Sequence, residues 1–229
     1  MTRNVEMLVA AARAFGDLRD EVVFVGGAVV DLLVTDPAAP RPRFTDDVDV
    51  VVEVTTQVEW YALAERLRKL GFREDRREGA PLCRWLAGDL AVDVMPGIEK
   101  VLGFANRWYG LARSESDEVG LPDAPPIRVV RAPLFLAMKL EAFASRGGGD
   151  FVASHDVEDV IAVVDGRLSL ALEVKQAPPT VQRFLAERLG AWLGDPAFLD
   201  AVPGHLPGDA ASQARAELVI ARIRAMADS

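Results

Sequence analysis

Residues 45–54 read TDDVDVVVEV, and this stretch decides the fold expected around it. Its β-branched run predicts a strand that is buried on at least one face. Because side chains alternate along a strand, Asp47 and Asp49 should point to the same face, and Asp46 to the other unless a bulge exchanges it with Asp47. Two carboxylates so close together repel each other unless they share a cation. The stretch therefore predicts a strand that presents a pair of acids to one side.

A third acid, Asp93, lies in the apolar segment LAVDVMP at residues 90–96. An ionised carboxylate in a buried strand is costly unless it is hydrogen-bonded, ion-paired or bound to a metal ion. If this strand adjoins that of Asp47 and Asp49, three acids surround one position, as a two-metal phosphoryl transfer requires. Mg²⁺ prefers such hard oxygen ligands, together with phosphate oxygens. The alternatives are a core acid satisfied by backbone donors and an acid pair that arises by chance.

A diglycine, Gly26 and Gly27, separates a short apolar strand, EVVFV, from a predicted helix at residues 28–34. Glycines at such a junction let the backbone approach a ligand closely and direct amide donors at an anion. The alternative is an ordinary turn. Gly27 precedes Asp47 by 20 residues with a helix between them, and this order favours a phosphate-binding role.

The remaining periodicity divides the chain in two. Apolar spacing predicts amphipathic helices over residues 5–18 and 58–72, with Gly71 as the stop of the second, and a hairpin that turns at Gly88 and Asp89. Beyond Pro133 the spacing becomes helical and stays so. We therefore expect an α/β (α+β) domain with a small mixed sheet flanked by helices at residues 1–130, and a helical domain at residues 131–229.

Composition restricts the class of protein. A chain of 229 residues with 50% hydrophobic content can bury a substantial core, and its single cysteine, Cys83, excludes an internal disulfide and a thiolate zinc site. It has neither an apolar run of membrane-spanning length nor a signal-peptide cleavage pattern, so we expect a cytoplasmic protein. A net charge of −9 disfavours extended binding to nucleic acid. A local basic patch or a solvated surface is expected from Arg66, Arg68, Lys69, Arg73, Arg76, Arg77 and Arg84.

Three motifs together resemble the DNA polymerase β-like nucleotidyltransferases: FVGGAVVDLL at residues 24–33, TDDVDVVVEV, and LAVDVMP. A later segment, residues 133–164, resembles the second-domain motif of the AbiEii-type and MenT-like toxin branch. In that branch a lysine, an arginine and a later aspartate recur at similar spacing. The matching positions here are Lys139, Arg146, Asp156 and Asp159.

The resemblance implies a nucleotide bound in a cleft between the two domains. Asp47, Asp49 and Asp93 would hold Mg²⁺, or Mn²⁺ in its place, and Asp93 would also act as the base. Gly26, Gly27, Lys139 and Arg146 would bind the nucleotide, and Asp156 would lie near Lys139 or the nucleotide. Two alternatives stay open: the Lys139 ammonium extends into water over a buried stem, and Asp156 only stabilises a helix N-terminus.

The implied activity is transfer of a nucleoside monophosphate from an NTP such as ATP to an acceptor hydroxyl, with release of pyrophosphate. By resemblance the acceptor is the tRNA 3′ end, and the enzyme is a toxin with an antitoxin partner. One alternative keeps the reaction but uses a small-molecule hydroxyl, as antibiotic nucleotidyltransferases do. A second alternative is a nucleotide-binding or partner-binding protein without turnover, against which the three retained acids argue.

Overall fold

The computed structural model describes residues 1–97, 99–103, 105–146 and 149–228. The chain divides into two compact units. The sheet unit comprises Met1–Asp31 and Phe44–Arg131, and the helical unit comprises Leu32–Arg43 and Ala132–Ser229. Residues 32–43 thus belong to the helical unit, although they lie within the first of the two domains expected from the sequence.

One mixed sheet organises the sheet unit. Across the described residues it has seven strands, in the spatial order β3-β4-β5-β2-β1-β7-β6. The central strand, β2, pairs in parallel with β5 and antiparallel with β1, while β4 and β5 form an antiparallel hairpin. The strands are β1 Val22–Val25, β2 Asp47–Val52, β3 Arg73–Glu74, β4 Arg84–Ala87, β5 Leu90–Pro96, β6 Ser116–Leu121 and β7 Ala124–Val130.

Burial alternates over residues 47–50 of β2, as expected from the sequence, and the strand then ends with two buried residues, Val51 and Val52. Val48 and Val50 are fully buried, whereas Asp47 and Asp49 are partly exposed on the opposite face. All four residues of β1 are buried, as its uninterrupted apolar run predicts. Hydrophobic burial therefore fixes the register of β2 and leaves its acids on one face.

The helices of the sheet unit begin and end close to their predicted limits. The first, α1, covers Arg3–Phe15, and the ring of Phe15 contacts those of Phe24 and Phe72 at centroid distances of 6.1 and 5.0 Å. Helix α3 covers Gln57–Lys69 and starts with a capping box formed by Thr56 and Glu59. The helix expected at residues 28–34 is shorter, with a 3-10 turn at Gly27–Val29 followed by α2, Val30–Leu33. A short helix, α4, covers Glu99–Leu102.

The described part of the helical unit has α-helices and one 3-10 turn, Val202–His205. In its aromatic core each of the rings of Phe143, Phe151, Trp192 and Phe198 lies 4.9–5.5 Å, between ring centroids, from at least two of the others. The α-helices are α5 Ala132–Arg146, α6 His155–Gly166, α7 Leu170–Gln176, α8 Pro179–Leu193, α9 Pro196–Ala201, α10 Ala210–Gln213 and α11 Arg215–Ala227.

The predicted fold class, a mixed sheet flanked by helices with a helical C-terminal part, is confirmed. Strands β3, β6 and β7 were not predicted. The turn-rich residues 120–126 hold the β6–β7 hairpin, which turns at Pro122 and Asp123, and Asp123 has a φ of +51°. None of the helices in the described ranges is long and apolar enough to cross a membrane.

Candidate functional site

Strand register brings the three predicted acids of the sheet unit to one face. Asp49 and Asp93 are Cα partners in the parallel pair β2–β5, and Asp47 lies two residues before Asp49 on the same side of its strand. Residues in register on neighbouring strands point to the same face of a sheet. We call this surface, formed by Asp47, Asp49 and Asp93, the acid face.

Arg84 belongs to the same surface. It is the Cα partner of Asp93 across the β4–β5 hairpin. Its Nε donates to Asp93 Oδ1 at 2.8 Å and its Nη2 to Asp93 Oδ2 at 2.9 Å, and Nη2 also donates to Asp47 Oδ2. The hydrogen bond to Asp93 and the nearby charges of Asp93 and Asp47 raise the pKa of Arg84 above its usual value. The guanidinium thus bridges two acids from different strands.

Arg84 was expected only as one member of a basic patch, and its place on the acid face was not predicted. The signal was present in the sequence. A two-residue turn at Gly88 and Asp89 pairs Ala87 with Leu90, and counting back along the hairpin pairs Arg84 with Asp93.

Asp46 and Asp47 have different environments. The Oγ1 of Thr45 donates to Asp47 Oδ1 at 3.0 Å, while the Asp46 side chain is 96% exposed and lies 3.6 Å from an Arg3 nitrogen. The side chain of Asp47 is 27% exposed and that of Asp93 is 11% exposed. Of the two adjacent acids, only Asp47 contributes to the acid face.

Gly26 lies directly against the acid face. Its φ of +70° and ψ of −165° belong to a region that is essentially restricted to glycine. A Cβ at this position would lie 1.8 Å from Asp49 Oδ2 and 2.5 Å from Asp49 Cγ. Gly27 follows as a buried residue of the 3-10 turn. The first glycine of the motif is therefore required both by the backbone and by the space that Asp49 occupies.

The acid face suits a cation. Within the described ranges, no group of three or more His, Cys, Asp or Glu side chains is arranged around a single metal position. Yet oxygens of Asp47 and Asp93 already converge on one positively charged group, the guanidinium of Arg84. Carboxylate oxygens are the ligands that Mg²⁺ prefers, so the donor set fits this ion.

Cys83, next to Arg84 in sequence, is not equipped for nucleophilic chemistry. Its residue is 4% exposed, and burial, together with the negative charges of Asp93 and Asp49, raises the pKa of its thiol to about 12. Only the thiolate is a nucleophile, so this cysteine stays inert near neutral pH.

The predicted residues of the helical unit form a second charged group. Lys139 Nζ lies 3.0 Å from Asp156 Oδ1 and 2.7 Å from Asp159 Oδ2, and Arg146 Nη2 lies 3.3 Å from Asp156 Oδ2. Arg43, which was not predicted, donates to Asp159 at 2.9 Å. The Asp159 side chain is only 1% exposed and forms ion pairs with both Arg43 and Lys139 in a buried position.

Asp156 also lies in the first turn of α6, whose N-cap is Ser154. A carboxylate there is stabilised by the helix dipole whatever else it does. Asp156 therefore contacts Lys139 and lies in the first turn of α6 at the same time.

Comparisons with known proteins give no family and two distant structural similarities. No protein-family profile matches the chain. No curated protein matches it either. One similar solved structure is the antibiotic-resistance factor ANT(2'')-Ia, with 15% identity, a TM-score of 0.47, and coverage of 83% of this chain and 93% of that one. Another is a proposed nucleotidyltransferase from H. pylori, with 13% identity, a TM-score of 0.46, and coverage of 100% and 96%. Likenesses this distant carry no information on substrate or chemistry.

Proposed function

We propose that the chain is a magnesium-dependent nucleotidyltransferase that moves a nucleoside monophosphate from an NTP to an acceptor hydroxyl and releases pyrophosphate. The observation that carries the proposal is the convergence of Asp47, Asp49 and Asp93 on one face of the sheet, with Asp49 and Asp93 in register. Three acids separated by up to 46 residues share this surface, beside a glycine that leaves room for Asp49. Chance placement of an isolated acid pair would not produce this combination.

Each of these residues has a role in the proposed reaction. Asp47, Asp49 and Asp93 would hold magnesium, which when bound would favour ionisation of the acceptor hydroxyl and stabilise charge on the leaving pyrophosphate. Asp93 would accept the proton of that hydroxyl while the hydroxyl oxygen forms a bond to the α-phosphorus. The bond between that phosphorus and the pyrophosphate oxygen would break. Gly26 and Gly27 would allow the backbone to approach the phosphates.

In the helical unit, we assign Lys139 and Arg146 to the nucleotide phosphates, as the resemblance implies. Asp156 contacts both cations, so it would act as a positioning residue that orients them. The planar fork of Arg146 can bind two phosphate oxygens, whereas Lys139 would act as a point charge.

For the acceptor, the resemblance favours the tRNA 3′ end, in a toxin that an antitoxin protein would restrain. A small-molecule hydroxyl is the second candidate, and one observation favours it. Most of the arginines expected to form a basic patch are neutralised by acids, which leaves less positive surface for RNA. The pairs are Arg66 with Glu21, Arg68 with Glu65 and Glu74, Arg76 with Glu74, Arg77 with Asp75, and Arg84 with Asp47 and Asp93.

The test is a transfer assay with each α-labelled NTP, Mg²⁺, and either total tRNA or a panel of hydroxylated small molecules. We expect labelled acceptor and released pyrophosphate. Asp49→Asn should lower the rate more than about 100-fold, since even outer-shell residues of metal sites are worth 10–100-fold. Asp46→Asn is the matched control, because it removes the same charge from an exposed neighbour, and it should retain activity. Transfer retained by Asp49→Asn would rule out the site, and label on small molecules alone would rule out tRNA.

A further inference from the structure

Arg84 places a cation on the acid face, and its contacts bear on how a metal ion could bind there. We propose that Arg84 is a built-in counter-cation: its guanidinium holds Asp47 and Asp93 when no metal is bound, and it competes with a divalent ion for them. This inference rests on the function proposed above. It assigns a role to a residue that neither the motifs nor the resemblance includes.

The position of Arg84 is fixed by the sheet. Its Cα lies opposite that of Asp93 across the hairpin, so its side chain must emerge on the acid face. From there the guanidinium forms a two-point contact with Asp93 and reaches across to Asp47 on β2. The Arg84 side chain is only 21% exposed. These contacts are therefore built into the fold and are not an incidental surface pairing.

The guanidinium and a metal ion need the same atoms. Arg84 engages both carboxylate oxygens of Asp93 and Oδ2 of Asp47. Mg²⁺ and Mn²⁺ bind carboxylate oxygens directly, at distances too short for an N–H group to remain between them. A divalent ion bound to these oxygens would therefore lie beside the guanidinium, and the two positive charges would repel each other.

The formal charges predict how removal of Arg84 changes the affinity for a divalent cation. Three carboxylates and one guanidinium carry a formal charge of about −2, and the carboxylates alone carry about −3. Removing the arginine thus makes the acid face more attractive to a divalent cation and less stable without one. A single charge-assisted hydrogen bond is worth about a tenfold change in an equilibrium constant. Loss of Arg84 should therefore tighten metal binding about tenfold or more.

A different role would give the opposite sign. If Arg84 stayed in place to hold the carboxylates in a metal-binding geometry, its removal would weaken metal binding. Affinity for the metal alone, measured without nucleotide, separates the two roles and does not depend on turnover.

The experiment measures Mn²⁺ binding by the nucleotide-free protein, from the paramagnetic resonance signal of unbound Mn²⁺. Proteins compared are the wild type, Arg84→Gln, Arg84→Lys and Arg76→Gln. Arg76 is the matched control, because its side chain is 83% exposed and pairs with Glu74 away from the acid face. We expect Arg84→Gln to bind Mn²⁺ about tenfold more tightly, Arg84→Lys to fall between it and the wild type, and Arg76→Gln to match the wild type.

Thermal unfolding gives a second readout. Arg84→Gln should have a lower Tm without metal and a larger rise in Tm when Mn²⁺ is added, because ligand binding stabilises the folded state. If Arg84→Gln does not fold, Arg84→Lys alone decides, since it keeps the charge but loses the two-point contact. If the Arg84 variants bind Mn²⁺ as tightly as the wild type or more weakly, the proposed role of Arg84 is overturned, but the proposed enzymatic function is not. Absence of binding in every protein overturns both.

Discussion

At the scale of single residues, Gly26 is the position where the backbone and the acid face constrain each other most directly. We predict that Gly26→Ala destabilises the fold by about 1–3 kcal/mol, because its φ and ψ lie in a region that only glycine adopts freely. It should also reduce transfer strongly, because the new Cβ would displace the Asp49 carboxylate, whose Oδ2 it would approach to 1.8 Å. Urea unfolding and the transfer assay measure the two effects.

Gly88→Ala is the matched control for this prediction. Gly88 has a φ of +62° in the β4–β5 turn, and a Cβ there meets nothing within 4 Å. It should lose stability through the same kind of backbone strain but keep its transfer activity. If the two variants lose activity equally, the close contact between Gly26 and Asp49 does not matter for the reaction.

The candidate site could be predicted from sequence where local rules apply, and not beyond them. Alternation along a strand was enough to place Asp47 and Asp49 together, and burial singled out Asp93 as an unusual acid. Arg43 left no such signal, because it lies in a proline-rich loop and reaches an acid 116 residues away. Contacts of that kind depend on tertiary packing, which a single sequence does not display.

At the scale of elements, the acid network that joins α5, α6 and the loop before β2 should be a strong contributor to the stability of the helical unit. We predict that Asp159→Asn lowers the free energy of unfolding by about 3 kcal/mol, because it removes the buried negative charge that both Arg43 and Lys139 contact. Their side chains are 20% and 13% exposed, so water compensates poorly. Urea unfolding of the purified variant measures the loss.

Glu158→Gln provides the comparison on the same helix. Glu158 is 34% exposed and lies 3.8 Å from Arg43, so its removal should cost less than about 1 kcal/mol. Similar losses in the two variants would mean that burial of Asp159 contributes nothing beyond an ordinary surface ion pair.

Strand prediction succeeded for central strands and failed at both edges, where β3 and β6 lie. Strands β1, β2 and β5 have apolar, β-branched runs because neighbours cover them. Strand β6 lies at the edge of the sheet and is mostly polar, and β7 begins with Ala124, Pro125 and Pro126. Prolines and polar residues are tolerated beside an edge, where fewer backbone donors need partners, so their sequence resembles a loop.

At the scale of the whole molecule, carboxylates dominate the electrostatics, since 35 acids oppose 26 basic residues. Several acids have their pKa lowered, chiefly by hydrogen bonds from arginine side chains, from backbone amides or, for Asp209, from the Ser212 side chain. An acid whose pKa is lower in the folded protein than in the unfolded chain stabilises the fold at pH values above its unfolded pKa. That stabilisation is lost as the pH falls toward the folded pKa. The acids concerned are Glu21, Asp36, Glu59, Glu74, Asp75 and Asp209.

We therefore predict that the Tm is nearly constant from neutral pH down to about 5 and falls progressively as these acids take up protons below their unfolded pKa values. Asp75 sets the lower end of this range, because the hydrogen bond from Arg77 lowers its pKa from 3.8 to about 2. Arg77→Gln should return the pKa of Asp75 toward its unfolded value, so that Asp75 no longer contributes to the fall in Tm at acidic pH. A series of Tm measurements from pH 7 to 2 should then give a shallower fall for Arg77→Gln and for Asp75→Asn alike. If the fall in Tm at acidic pH is the same in both variants as in the wild type, the pair of Arg77 and Asp75 contributes nothing to acid unfolding. The remaining acids would then account for that fall.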